Sequence, residues 1–185
     1  LSVLSFVLAV AIAVPASGQI LISEIADPGD DFDARFVEFY NYSDQTIDLG
    51  AEAWVFEVQF NGGSSFSEIN LTGTLPPGEY FILAKRDSDF NNVYGFTPDQ
   101  SNGNINSNGD EAFFLYQGGG EASGTLIDQY GERNVDGTGE PWEFVDSQVE
   151  RVQGPANSTF TLSEWDITAA DVADMNPGSN PNESS

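Results

Sequence analysis

The sequence contains no cysteine and no histidine among its 185 residues. Without cysteine, disulfide bonds cannot hold the fold and a Cys-His nucleophile is excluded. Without histidine, a Ser-His-Asp triad, histidine acid–base chemistry and zinc sites of the usual ligand types are excluded as well. The chemistry that remains rests on carboxylates and hydroxyls, which suit a glycosidase-like carboxylate pair or a calcium site.

Positive charge is also scarce, since 5 lysines and arginines stand against 30 aspartates and glutamates, for a net charge of −25. Attraction to phosphates is the main contribution to nucleic-acid binding, so this balance argues against a nucleic-acid partner. It argues equally against binding to an anionic membrane surface. Such a charge is typical of a solvated acidic surface on an exported protein, or of a protein that binds divalent cations.

The first part of the chain is apolar and uncharged from Leu1 to Val14, and small residues follow it up to Gly18. This pattern predicts a secretory signal peptide over 1–18, cleaved after Gly18. The run is too short for a stable membrane anchor. We therefore expect a secreted or cell-surface protein that is not inserted in a membrane after cleavage. Because the sequence does not begin with Met, we also expect its true start to lie upstream.

Short apolar runs separated by turn-forming residues make up most of the remaining chain. The runs Ile20–Ala26 and Ala34–Tyr40 flank an acidic loop and predict two facing or paired strands. Ala53–Phe60 alternates with period two and predicts a strand with one buried face. Further strands are predicted at Tyr80–Ala84, Ala112–Tyr116, Thr125–Tyr130 and within Trp142–Val152, and a helical turn at Asp87–Tyr94.

These elements predict one all-β domain, a sandwich or barrel, over residues 19–174. The content of 39% hydrophobic residues, with 14 phenylalanines, is enough for a real core. The polar segment 175–185 is rich in Pro and Asn and predicts a short disordered tail or linker.

Several segments resemble, in order and spacing, the lamin-tail-type domains of secreted bacterial proteins. They are I-S-E-I-A-D-P (Ile22–Pro28), A-R-F-V-E-F-Y-N (Ala34–Asn41), I-D-L-G (Ile47–Gly50), L-T-G-T-L-P-P-G-E-Y-F-I-L-A (Leu71–Ala84), N-S-N-G-D-E-A-F-F-L-Y (Asn106–Tyr116) and D-G-T-G-E-P-W-E-F-V-D-S-Q-V-E-R (Asp136–Arg151). The resemblance covers Ile20 to Gly154. It implies an immunoglobulin-like β-sandwich and a non-catalytic module of the kind found beside enzymatic or adhesive domains.

Two acidic loops are candidate calcium sites, and Ca²⁺ is the only cofactor that the sequence suggests. Asp27, Asp30, Asp31 and Asp33 place four carboxylates in one loop, and hard cations take several oxygen ligands from such loops. Asp136 is the second candidate. The alternative for the first loop is a solvated turn, in which Asp27 and Pro28 serve the turn geometry. The alternative for Asp136 is a type I′ Asp-Gly turn.

Other residues favour structural roles. Glu38 lies inside an apolar strand, and a buried carboxylate needs a cation or several donors, so we expect it to pair with Arg35 or Arg151. Trp54 and Trp142 are expected in the core rather than on a ligand-binding surface.

The sequence therefore favours a secreted, non-enzymatic module for extracellular adhesion, scaffolding or binding to protein or polysaccharide, with ligand and oligomeric state left open. The alternative is a calcium-stabilised binding module, accessory to an extracellular enzyme such as a nuclease or glycosidase. A glycosidase that uses two carboxylates is a third hypothesis. It is weakened because, among 30 acidic residues, some pair of carboxylates is always available by chance.

Overall fold

The structure, a computed structural model, describes residues 19–178, so the signal peptide predicted over 1–18 and residues 179–185 lie outside the described residues. The described part is almost entirely β-structure. Its strands are β1 (Ile20–Asp27), β2 (Phe36–Asn41), β3 (Ile47–Asp48), β4 (Val55–Gln59), β5 (Phe66–Asn70), β6 (Thr74–Leu75), β7 (Tyr80–Ala84), β8 (Gln100–Ser101), β9 (Ala112–Gln117), β10 (Thr125–Tyr130), β11 (Ser147–Arg151) and β12 (Trp165–Ala169).

Two main sheets face each other. One is six-stranded, in the order β12-β11-β1-β2-β7-β8, and the other is four-stranded, in the order β10-β9-β4-β5. All neighbouring strands in them run antiparallel except β7 and β8, which are parallel. The short strands β3 and β6 form a separate pair. This arrangement confirms the predicted all-β, immunoglobulin-like sandwich.

The core lies between the two sheets, because successive residues of a strand point to opposite faces. In the six-stranded sheet, Val149, Ile25, Val37 and Leu83 stand opposite one another on adjacent strands and are all buried. Aromatic rings bridge the gap between the sheets: Phe39 of β2 meets Phe56 of β4 edge to face, with ring centroids 5.1 Å apart. Such edge-to-face pairs add to the stabilisation from apolar burial.

A second apolar cluster covers the outer face of the six-stranded sheet. The helix α1 (Asp87–Tyr94), confirmed at the predicted residues, packs Phe90 edge to face against Phe36 of β2 at 5.6 Å. Gly95 ends the helix with a left-handed φ of 81°, a conformation that favours glycine. No helix within residues 19–178 has the length and apolarity needed to cross a membrane.

The C-terminal segment also belongs to this cluster. Met175 is only 6% exposed and packs with Phe36, Phe90 and Tyr94. The backbone N–H of Gly178 donates to Glu38 Oε2 at 2.5 Å. The contacts of the domain therefore extend past residue 174, the boundary that the sequence predicted.

Two strand predictions differ from the structure. β4 is buried on both faces, not one, since Glu57 and Gln59 on its outer face are fully buried. The loops before and after β10 cover that face: the N–H of Glu121 donates to Glu57, and the backbone and side chain of Asn134 both bond to Gln59. In addition, β12 is a regular strand beyond the last strand that the sequence predicts.

Candidate functional site

In the acidic loop after β1, Asp27 and Asp33 are held by cations of the same chain. Asp27 Oδ1 contacts Arg35 Nε, and Asp33 Oδ1 lies 2.9 Å from Lys85 Nζ and 3.4 Å from Arg86 Nε. The hydrogen bond from Lys85 lowers the pKa of Asp33. At Asp27, burial raises the pKa against the opposing effect of Arg35. Three of the five cations of the chain thus surround one loop.

The other predicted calcium ligands bond to backbone amides. Asp31 Oδ1 accepts from the N–H of Asp33 at 3.1 Å and caps a 3-10 turn, while Asp30 Oδ1 accepts from the N–H of Val172 at 2.9 Å. Asp136 lies on another loop, where it accepts from the N–H of Thr138 at 3.0 Å.

Among residues 19–178, no group of three or more Asp, Glu, His or Cys side chains is arranged to hold a metal ion. The local hydrogen bonds fit the alternative, in which the aspartates serve the turns. Calcium binding at Asp27, Asp30, Asp31, Asp33 and Asp136 stays an untested prediction of the sequence, while these contacts favour the turn alternative.

The most extensive polar network joins the two sheets at Asp128 of β10 and Arg151 of β11. Nη2 of Arg151 donates to both carboxylate oxygens of Asp128, at 2.7 and 2.6 Å, and both side chains are buried. Asp128 also accepts from the backbone N–H of Ile22 at 2.8 Å and of Asn157 at 2.9 Å. Burial raises the pKa of Asp128 to about 6 despite Arg151, so the carboxylate is ionised at neutral pH.

A second buried acid lies on the outer face of the four-stranded sheet. Glu57 of β4 accepts from the N–H of Glu121 at 2.7 Å, and its Oε2 lies 3.8 Å from Arg133 Nη2. The guanidinium of Arg133 stacks 3.9 Å from the ring centroid of Phe114, and its Nη2 donates to Tyr116 Oη at 2.5 Å. Arg133 thus covers the outer face of this sheet and neutralises part of its acidic charge.

A row of acids crosses the outer face of the six-stranded sheet. Glu38, Glu24, Glu150 and Asp166 stand opposite one another on β2, β1, β11 and β12. Burial, with a smaller contribution from Asp166, raises the pKa of Glu150. Like charges that face each other destabilise a sheet, so Glu150 and Asp166 oppose folding when both are ionised.

The prediction that Glu38 pairs with Arg35 or Arg151 needs correction. Arg35 and Arg151 pair with Asp27 and Asp128, while Glu38 Oε1 accepts from Ser23 Oγ at 2.7 Å. Ser23 lies at a β-bulge, where the register between β1 and β2 shifts, and the bulge re-aims its side chain. The prediction that Trp54 and Trp142 belong to the core is confirmed, since they are only 1% and 2% exposed.

The lamin tail domain family matches residues 13–134. This chain belongs to that family. The matched stretch includes the whole four-stranded sheet and β1, β2, β7 and β8 of the other sheet, whereas β11 and β12 lie outside it. Lamin tail domains are non-catalytic, immunoglobulin-like modules. A comparison with curated proteins finds no match.

Sequence reasoning missed the Asp128–Arg151 network in this lamin tail domain. The two residues lie 23 positions apart, on strands of different sheets. The one available signal was the scarcity of cations, because each arginine beside an apolar strand is a candidate partner for a buried acid.

Proposed function

We propose that this lamin tail domain is an exported, non-catalytic module that binds an extracellular protein or polysaccharide and serves adhesion or scaffolding. The observation that carries the proposal is the set of contacts that the buried carboxylates make. Carboxylates are the main candidates for catalysis in a chain without histidine or cysteine, and the most buried of them tie strands and loops together. Asp128, Asp27 and Glu57 are engaged by arginines or backbone amides of the same chain.

Export is supported by the N-terminal sequence. An apolar, uncharged run over 1–14 followed by small residues is typical of a secretory signal peptide. A net charge of −25 and the absence of cysteine suit a protein that works outside the cell without disulfides. Expression with the native leader in a bacterial host, followed by fractionation, tests this part: the chain is expected in the medium or on the cell surface, shortened by the leader.

Binding is tested with the immobilised full chain, probed with cell-wall polymers, other polysaccharides and secreted proteins. We expect saturable retention of one ligand class by the folded chain. The matched control is the same chain denatured by heat before immobilisation, which is expected to lose retention. Failure of the folded chain to retain any of these ligands, or equal retention by the denatured chain, contradicts the proposal.

A further inference from the structure

Three segments meet at Asp110 at one end of the sandwich. Asp110 Oδ2 accepts from Asn61 Nδ2 at 3.0 Å, in the turn between β4 and β5, and from Thr138 Oγ1 at 3.1 Å, in the loop between β10 and β11. Its backbone oxygen accepts from the N–H of Gly137 at 3.0 Å. Because its own loop leads into β9, Asp110 holds three connections together.

The neighbouring side chain, Glu111, is 1% exposed and folds back under the same loop. Its Oε2 accepts from the backbone N–H groups of Asn108, Gly109 and Asp110 at 2.8, 3.2 and 3.3 Å. This brings the Glu111 carboxyl within hydrogen-bonding reach of the Asp110 carboxyl. Within the part of the chain that the structure describes, Asp110 Oδ1 is buried and receives no hydrogen bond. A buried acceptor of this kind requires a donor.

No cation of the chain supplies that donor. All five are engaged with other acids: Arg35 with Asp27, Lys85 and Arg86 with Asp33, Arg133 with Glu57 and Glu121, and Arg151 with Asp128 and Glu164. On the neighbouring segment between β10 and β11, Arg133 is the one basic residue and it is engaged elsewhere. The other charged residues of that segment are acidic: Glu132, Asp136, Glu140, Glu143 and Asp146. Two buried carboxylates in contact cannot both ionise without a large penalty when no cation is near.

We propose that a proton shared between the carboxyl groups of Glu111 and Asp110 clamps these three connections together, and that its release as the pH rises through neutrality loosens this end of the sandwich. A protonated Glu111 provides the missing donor for Asp110 Oδ1. Its other oxygen still accepts the three amides of the loop. The pair then carries one negative charge in place of two.

The pH range follows from the environment of Glu111. Burial, and then the charge of Asp110, raise its pKa from an ordinary value of 4.5 to about 7. The folded chain therefore keeps this proton between the two values while the unfolded chain has lost it. The contribution of the pair to the free energy of unfolding is therefore complete below pH 4.5 and is lost as the pH rises from there to about 7.

The test is an NMR titration of the full chain from about pH 5 to pH 9, following the backbone amides of Asn108, Gly109 and Asp110. We expect the three amides to shift together in a one-proton step near pH 7. Glu111→Gln imitates the protonated form, because its amide can accept from the loop and donate to Asp110. This variant should lack the step. Glu140→Gln, on the neighbouring loop, should retain it.

Asp110→Asn gives an independent result if Glu111→Gln does not fold. Removing the charge of Asp110 should move the midpoint of the step down, toward the ordinary value for glutamate. The proposal is overturned by the absence of a step in the native chain, by a step that persists in Glu111→Gln, or by an unchanged midpoint in Asp110→Asn. A step that appears only with calcium and vanishes with chelator also overturns it, since a cation would then replace the proton.

Discussion

Arg151 of β11 and Asp128 of β10 form a buried ion pair that also completes the hydrogen bonding of a bulge in β1. The pairing of β1 with β11 starts at Glu24, so the backbone of Ile22 lies beyond it. The N–H of Ile22 donates to Asp128 at 2.8 Å, and its carbonyl accepts from Arg151 Nε at 3.0 Å. One ion pair thus satisfies a buried backbone position and fixes the two sheets to each other.

Replacing Arg151 with methionine should destabilise the domain strongly. Asp128 would remain buried without its cation, and removing one partner of such a pair costs about 3–5 kcal/mol. The stacking of Arg151 at 4.2 Å from the ring of Trp165 is replaced only in part by the thioether. Urea unfolding followed by tryptophan fluorescence measures the change in the free energy of unfolding.

Arg86→Met is the matched control for that variant. The side chain of Arg86 is 58% exposed and lies 3.4 Å from Asp33, which also has Lys85. Exposed pairs contribute little, so the free energy of unfolding should change by less than about 1 kcal/mol. Equal losses in the two variants would show that Arg151 acts only through the net charge of the chain.

Truncation should reveal that the domain continues past residue 174. A chain ending at Asp174 loses Met175 from the outer cluster and the hydrogen bond from Gly178 to Glu38, whereas a chain ending at Gly178 keeps both. Losing a buried methionine costs about 2 kcal/mol or more. Denaturant midpoints of the two chains measure the difference, and identical midpoints would place the boundary at 174 after all.

Glu150→Gln should stabilise the domain at neutral pH. Glu150 stands between Glu24 and Asp166 on adjacent strands, and facing like charges cost roughly 0.2–1 kcal/mol. Because the pKa of Glu150 is raised in the folded state, the penalty is present above that pKa and disappears as the carboxyl becomes protonated.

The gain should therefore be measurable by urea unfolding at pH 7 and should shrink as the pH approaches 4. Glu79→Gln, an exposed residue outside the acid row, is the control and should give no comparable gain. A loss of stability in Glu150→Gln at pH 7 would contradict the account of the row.

Calcium is expected to leave the melting midpoint unchanged at matched ionic strength. Asp27 and Asp33 already have Arg35 and Lys85 as partners, and a bound ion would have to displace them. A ligand that binds only the folded state raises stability in proportion to the logarithm of its concentration. A saturable rise in the midpoint, reversed by chelator and abolished by Asp30→Asn or Asp136→Asn, would establish the calcium site instead.

The sequence predicted the strands whose apolar pattern is local. Tyr80–Ala84 and Thr125–Tyr130 were placed at the residues that the structure gives to β7 and β10. The helix Asp87–Tyr94 was equally predictable, because Phe90 and Tyr94 have helical spacing in the sequence. In the structure their ring centroids lie 4.7 Å apart. Each of these elements is specified by side chains within a few positions of one another.

The polar network was not predictable because its partners are distant in sequence. Any of 30 acids could have paired with Arg151, and only the sheet topology selects Asp128. The burial of Glu57 likewise depends on Arg133 and Glu121, which reach it from other parts of the chain. Period-two alternation shows which face of β4 is apolar, but it does not reveal that a loop covers the other face.

Binding without catalysis by the folded module can be measured in one incubation. The purified full chain is mixed with the polysaccharides and secreted proteins that it retains, and bound and cleaved ligand are quantified together. Saturable retention is expected, with no cleavage above that of the heat-denatured chain. Cleavage that co-purifies with the folded chain and is lost on replacing one surface carboxylate with its amide would contradict it.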